Sequence, residues 1–146
     1  MVVLGVGSEL RGDDAAGVLV ARAVGHAKLP GVHAIDGGTA PENFTSDVKK
    51  LAPTHLVIVD AAQLGGTPPS PGAVALLDAP QAGATGFGTH ALPLGVIAAY
   101  LSAETGCHVT IVAIQSKNAG MGDEMSEEVA RAVRNVTEAL KTALQE

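Results

Sequence analysis

Four polar features of this chain stand where an apolar run gives way to a turn. Asp13 and Asp14 lie in the stretch Gly5 to Gly17, which follows the run Val2-Val3-Leu4. Asp36 opens the segment Asp36-Gly37-Gly38-Thr39. Asp60 directly follows Leu56-Val57-Ile58-Val59, and Thr89-His90 precedes a helical pattern. Asp14, Asp60 and His90 would supply two hard oxygen ligands and one borderline nitrogen. That set suits a divalent transition metal with positions left open for another ligand. A helix N-terminus disfavours imidazolium, so a histidine placed there is neutral and keeps a lone pair to donate. Asp36 is a second-tier candidate for general acid/base work or for orienting a peptide. Its neighbours Gly37 and Gly38 would let substrate backbone approach closely.

Each residue also has a purely structural reading. Asp13 or Asp14 can serve as a helix N-cap. Asp60 can cap a turn, and Asp36-Gly37-Gly38 is a common turn signal. Glu42 belongs by pattern to a capping box, Thr39-Ala-Pro-Glu42. His26, His33, His55 and His108 stand in no constellation and read as structural or solvated. Only the convergence of Asp14, Asp60 and His90 on one sheet edge favours a site.

Strand, glycine turn and helix usually present a helix N-terminus to an anion. Here two acids occupy that position, and they would repel a phosphate. The glycines read G-x-G-x-x-x-x-G rather than G-x-G-x-x-G, so dinucleotide binding is disfavoured as well. No G-x-S-x-G elbow is present, which argues against a serine hydrolase of that type. A pepsin-like aspartic protease would need a β-rich fold.

The elements that must position these residues alternate. Strands are expected at Val2–Val6, Val32–Ile35, Leu56–Val59, Val74–Leu77 and Val109–Ile114, short and rich in Val and Ile, as in sheets covered on both faces. Helices are expected from about Asp14 to Gly25, from Thr39 onward, from near Thr89 to near Gly106 with Pro93 in the first turn, and from Ser126 onward. The last carries one apolar stripe of Val129, Val133, Val136, Leu140 and Leu144. The order predicts one α/β domain over residues 1–146, a three-layer α/β/α sandwich around a five-stranded, mostly parallel mixed sheet. One link departs from it. Ala61 to Gly72 is too rich in Gly and Pro for a crossover helix, so the strand that follows is expected antiparallel at an edge. Ala62–Gly72 and Ala79–Gly88 are expected to be mobile loops. In such sheets sites form outside the carboxyl ends of the strands.

Composition narrows the function further. With 146 residues the chain suits one core. Aromatics are only 2% and Trp is absent, so Val, Leu, Ile and Ala must fill that core. The net charge of −6 comes without a basic cluster, which disfavours nucleic acid. Cys107 stands alone, excluding an internal disulfide framework. No apolar run is long enough to span a membrane, and the first residues read as a strand rather than a signal peptide. A cytoplasmic protein is the expectation.

Taken together, these motifs resemble those of the nickel–iron hydrogenase maturation endopeptidases. Gly5 to Gly17 is similar to the family's first motif and Asp36 to Asn43 to its second. Val57-Ile-Val-Asp-Ala61 and Thr89-His-Ala-Leu-Pro-Leu94 resemble its two remaining ligand segments, and Ile114-Gln115 the end of its last core strand. The resemblance implies a five-stranded α/β/α fold and an endopeptidase that removes the C-terminal extension of a hydrogenase large-subunit precursor after nickel insertion. It implies nickel contact by Asp14, Asp60 and His90, the trio already chosen on chemical grounds, with the nickel carried largely by the substrate. Cleavage would fall just after a His or Arg. The chain departs from the pattern in its proline-rich Gly65–Gly72 loop and in Ser116, where a proline is often seen. A nickel-checking chaperone without hydrolysis would use the same residues and is the competing reading.

Overall fold

The computed structural model describes residues 1–64, 70–78 and 94–145. Among them five strands form one sheet: β1 (Val2–Gly5), β2 (His33–Asp36), β3 (His55–Ala62), β4 (Val74–Asp78) and β5 (His108–Gln115). The spatial order is β2-β1-β3-β5-β4. β1 pairs in parallel with β2 and β3, β3 pairs in parallel with β5, and β4 runs antiparallel to β5. β4 is the antiparallel edge strand expected from the Gly- and Pro-rich link that precedes it. Helices α1 (Ala16–His26), α2 (Thr45–Leu51), α3 (Leu94–Thr105) and α4 (Glu127–Leu144) complete the described residues.

Strand alternation divides the core in two. On one face Leu4, Leu56, Ile58 and Ile111 meet Val48 of α2 and Leu94, Ile97 and Leu101 of α3. On the other, Val3, Val57, Val59 and Ile114 meet Val20 and Val24 of α1 and Val129 and Val136 of α4. The α4 stripe read from the sequence is the one that packs. Val133, Leu140 and Leu144 lie along its margin.

Several local expectations are corrected. β3 does not end at Asp60, because β5 is long enough to carry the ladder on through Ala61↔Ile114 and Ala62↔Gln115. The first helix is preceded by a separate 3₁₀ turn, Gly12–Ala15, and α1 itself starts at Ala16, with Ala15 at its N-cap and no side-chain cap bond. Neither Asp13 nor Asp14 is an N-cap of α1. The second helix likewise begins as a 3₁₀ turn, Pro41–Phe44, with Ala40 at its N-cap and no side-chain cap bond, so the expected capping box does not form. Pro41 does sit in the first turn, where its missing N–H costs nothing. The Thr89–Pro93 start of the third helix lies outside the described residues, as does most of the two loops expected to be mobile.

Two glycines bring the site-bearing loops together. A Cβ on Gly17 would stand 2.0 Å from the Val59 carbonyl oxygen and 2.5 Å from that of Val6. Only glycine lets α1 press directly on β1 and β3 there. Gly7 has φ +145° and its absent Cβ would overlap the Asp14 carbonyl oxygen at 1.8 Å.

Candidate functional site

The chain direction reverses in the sheet between β1 and β3: α1 carries it to β2 on one side, and α2 then returns it past β1 to β3. Open α/β sheets bind ligands at the carboxyl end of such a switch point. Asp14 stands in the 3₁₀ turn beyond β1, and Asp60 stands on β3. The two loops are registered by hydrogen bonds: Val6 N donates to Val59 O at 2.9 Å, Gly7 N to Gly38 O at 2.8 Å, and Gly37 N to Gly5 O at 2.8 Å. The turns after β1 and β2 and the end of β3 are therefore one hydrogen-bonded unit.

Asp60 is fully buried. It alternates in phase with Leu56, Ile58 and Ala62, so it belongs to the sheet face covered by α2 and α3. A buried carboxylate is costly unless partnered, and it concentrates its field where water is excluded. Asp14 is half-buried, and its Oδ2 accepts Ser8 N at 3.0 Å. That bond fixes the side chain against the Gly7–Ser8 turn. Its donor chemistry and that of Asp60 fit a divalent cation. His90 lies outside the described residues. α3, which begins four residues later, packs against the same face as Asp60. Among the described residues no three His, Cys, Asp or Glu side chains gather around one point.

Asp13, next to Asp14, has a different job. It is fully buried and receives Lys117 N, Asn118 N and Ser126 N, each at 2.7 Å, together with the Ser126 hydroxyl. Ser126 in turn caps α4 by accepting Val129 N. One carboxylate thus ties the first turn to the β5–α4 loop.

Asp36 stands at the same sheet edge, with its lone pairs already shared. Oδ1 accepts Gly38 N at 3.1 Å, and Oδ2 accepts Arg22 Nε at 3.1 Å and Nη2 at 2.8 Å. Arg22 also pairs with Glu9, holding the Glu9 carboxyl below its usual range, while both acids hold the guanidinium more firmly protonated. This bridge from α1 to the turns after β1 and β2 was missed in the sequence, where Arg22 is a lone charge on an apolar helix.

The departure at Ser116 has a local reason. Ser116 N donates to Ala62 O at 3.1 Å, a bond proline cannot make, and its hydroxyl accepts Gln63 Nε2 at 2.8 Å. Buried Gln115 completes the clasp, donating to Gln63 Oε1 and accepting Leu64 N. At the opposite end of the sheet His55 bonds the Thr110 hydroxyl at 3.0 Å and meets the His108 ring edge-on, and burial lowers its pKa. This pair lies far from the carboxyl edge, in keeping with a structural role.

Comparison with known proteins agrees with this architecture. The sequence profile of the hydrogenase maturation protease family matches residues 19–144. The hydrogenase 3 maturation protease of Escherichia coli K12 is 35% identical over 142 residues, spanning 96% of this chain and 88% of that protein. The crystal structure of a [NiFe] hydrogenase maturation protease from Thermococcus kodakarensis superposes with a TM-score of 0.89 at 30% identity, covering 99% of this chain and 92% of that one. The solution structure of an Escherichia coli endopeptidase, HycI, superposes at 0.80 with 32% identity, covering 97% and 88%.

Proposed function

Because the chain belongs to the hydrogenase maturation protease family, we propose that it removes the C-terminal extension from the large-subunit precursor of a nickel–iron hydrogenase once nickel has been inserted. The observation that carries the reading is the pair of carboxylates at the switch point: Asp60 fully buried on β3 and Asp14 pinned by Ser8 in the turn joined to it. Hard oxygen donors held rigidly at a sheet edge suit a cation delivered by a partner.

In this reading the substrate presents its own nickel to Asp14, Asp60 and His90. The metal fixes the precursor's C-terminal segment at the carboxyl edge and marks the subunit as complete. Water then adds to the scissile carbonyl carbon, the C–N bond breaks, and the leaving amine takes a proton. The chemistry is that of a carboxylate-assisted, aspartic-type hydrolysis in which binding orients the peptide. Asp36, held by Arg22, serves by orienting: it sets the Gly37–Gly38 turn over which the peptide passes. No helix among the described residues is long and apolar enough to cross a membrane. A cytoplasmic location, the expectation from the sequence, is part of this proposal.

The test is to incubate the protein with nickel-loaded precursor and to analyse the products by mass spectrometry. A single released C-terminal peptide is expected, cut just after a His or Arg. Precursor that binds and stays intact would instead identify a nickel-checking chaperone.

A further inference from the structure

We infer that Glu42 is a further substrate-contacting residue of this site, its buried carboxyl oxygen accepting a backbone N–H of the peptide to be cut. The inference rests on the peptidase reading above. Glu42 has the sequence position of a capping-box acid, yet it caps nothing: Ala40 is the N-cap and no side chain bonds it. Glu42 Oε2 is buried and has no hydrogen-bond partner among the described residues. Such an oxygen weakens the fold unless something pairs with it, and folded proteins leave few of them.

Its location suggests what that partner is. Glu42 lies in the 3₁₀ turn that follows the Gly37–Gly38 turn. A Cβ on Gly37 would stand 3.6 Å from Pro41 Cα, and Gly37 N is bonded to Gly5 O at the end of β1. Phe44, two residues on, packs in the cluster of Leu4, Leu56 and Ile58, the face to which Asp60 belongs. The turn that carries the orphaned acceptor therefore sits at the carboxyl edge, with its Phe44 packed on the Asp60 face. Beside it, the space a Cβ of Gly38 would fill is open. Gly38, without a side chain, leaves a lane for main chain there, whereas the space at Gly37 is taken by Gly5 O and Leu4 at 2.9 Å; main chain supplies N–H donors.

The experiment measures cleavage of nickel-loaded precursor by wild type, Glu42→Met and Glu42→Gln, with a thermal melt of each. Met fills the same space without an acceptor, whereas Gln keeps a carbonyl oxygen. For Glu42→Met we expect KM to rise about 10- to 100-fold, with kcat within roughly threefold and a melting temperature equal to wild type or higher. Glu42→Gln should recover KM to within about fivefold of wild type. An unchanged KM for Glu42→Met overturns the inference, as does a Gln variant as impaired as the Met one, which would mean that charge rather than acceptance matters. If Glu42→Met fails to fold, a native-like KM for Glu42→Gln supports acceptance and an impaired one overturns it. Wild-type protein that leaves the precursor uncut would overturn the peptidase reading itself, and the role of Glu42 with it.

Discussion

Two adjacent carboxylates, Asp13 and Asp14, differ sharply in how the fold holds them. Asp13 holds three backbone N–H groups and a serine hydroxyl in the interior. Asp13→Ala would orphan those donors, so a loss of roughly 3–5 kcal/mol is expected, lowering the melting temperature by on the order of 10 °C. Asp14 is half-buried and makes one backbone bond, which an amide oxygen could keep. Asp14→Asn should therefore melt within about 1 kcal/mol of wild type yet fail to process precursor. Equal melting of the two variants, measured by calorimetry, would refute this division. The sequence exposed the pair but not its partition. Asp60 and Asp14 were legible because each comes after a clear apolar run. The partners of Asp13 lie 104 to 113 positions away, and local pattern carries no trace of them. Arg22 was hidden for the same reason, since its acids come from two other turns.

At the scale of elements, strand identity was legible and strand ends were not. Val- and Ile-rich runs announce strands buried on both faces, but the length of each ladder depends on its neighbour: β5 extends β3 past Asp60. The failed capping box has a similar cause. Pro41 and the bonds tying the β2 turn to β1 tighten the backbone into a 3₁₀ turn before α2 can start. Close packing of α1 on the sheet makes the strongest prediction here. Gly17→Ala would drive a methyl group into two backbone carbonyls, at 2.0 and 2.5 Å. Backbone cannot yield as a side chain can, so a loss of about 3 kcal/mol or more is expected, with processing impaired because the Asp14 turn is displaced. Gly31→Ala, also an alanine at a former glycine, meets no atom within 4 Å and should lose only its left-handed backbone preference, about 1 kcal/mol. Urea titration of both variants orders the two costs. A Gly17→Ala protein as stable as Gly31→Ala would mean that α1 can slide away from β3.

For the whole molecule, the proposed function raises the question of how a small acidic domain would restrict hydrolysis to a finished partner. The fold was legible at this scale because alternation of elements and one unhelical link suffice to specify a mixed sheet with an antiparallel edge strand. Two carboxylates and one imidazole are an incomplete ligand set for a transition metal, which favours an ion shared with the substrate, whose thiolates would complete the set. Processing should then require nickel already seated in the large subunit. Three reactions test this: apo precursor, nickel-loaded precursor, and apo precursor mixed with protein that was soaked in nickel and desalted. Only the second should release the C-terminal peptide, and His90→Ala and Asp14→Asn should abolish that release. If apo precursor is cleaved as fast as the loaded form, nickel is not the mark being read. Asp14, Asp60 and His90 would then form an ordinary hydrolytic site, and Asp36 would be the first residue to re-examine, by breaking its bond to Arg22 with Arg22→Gln and following the rate.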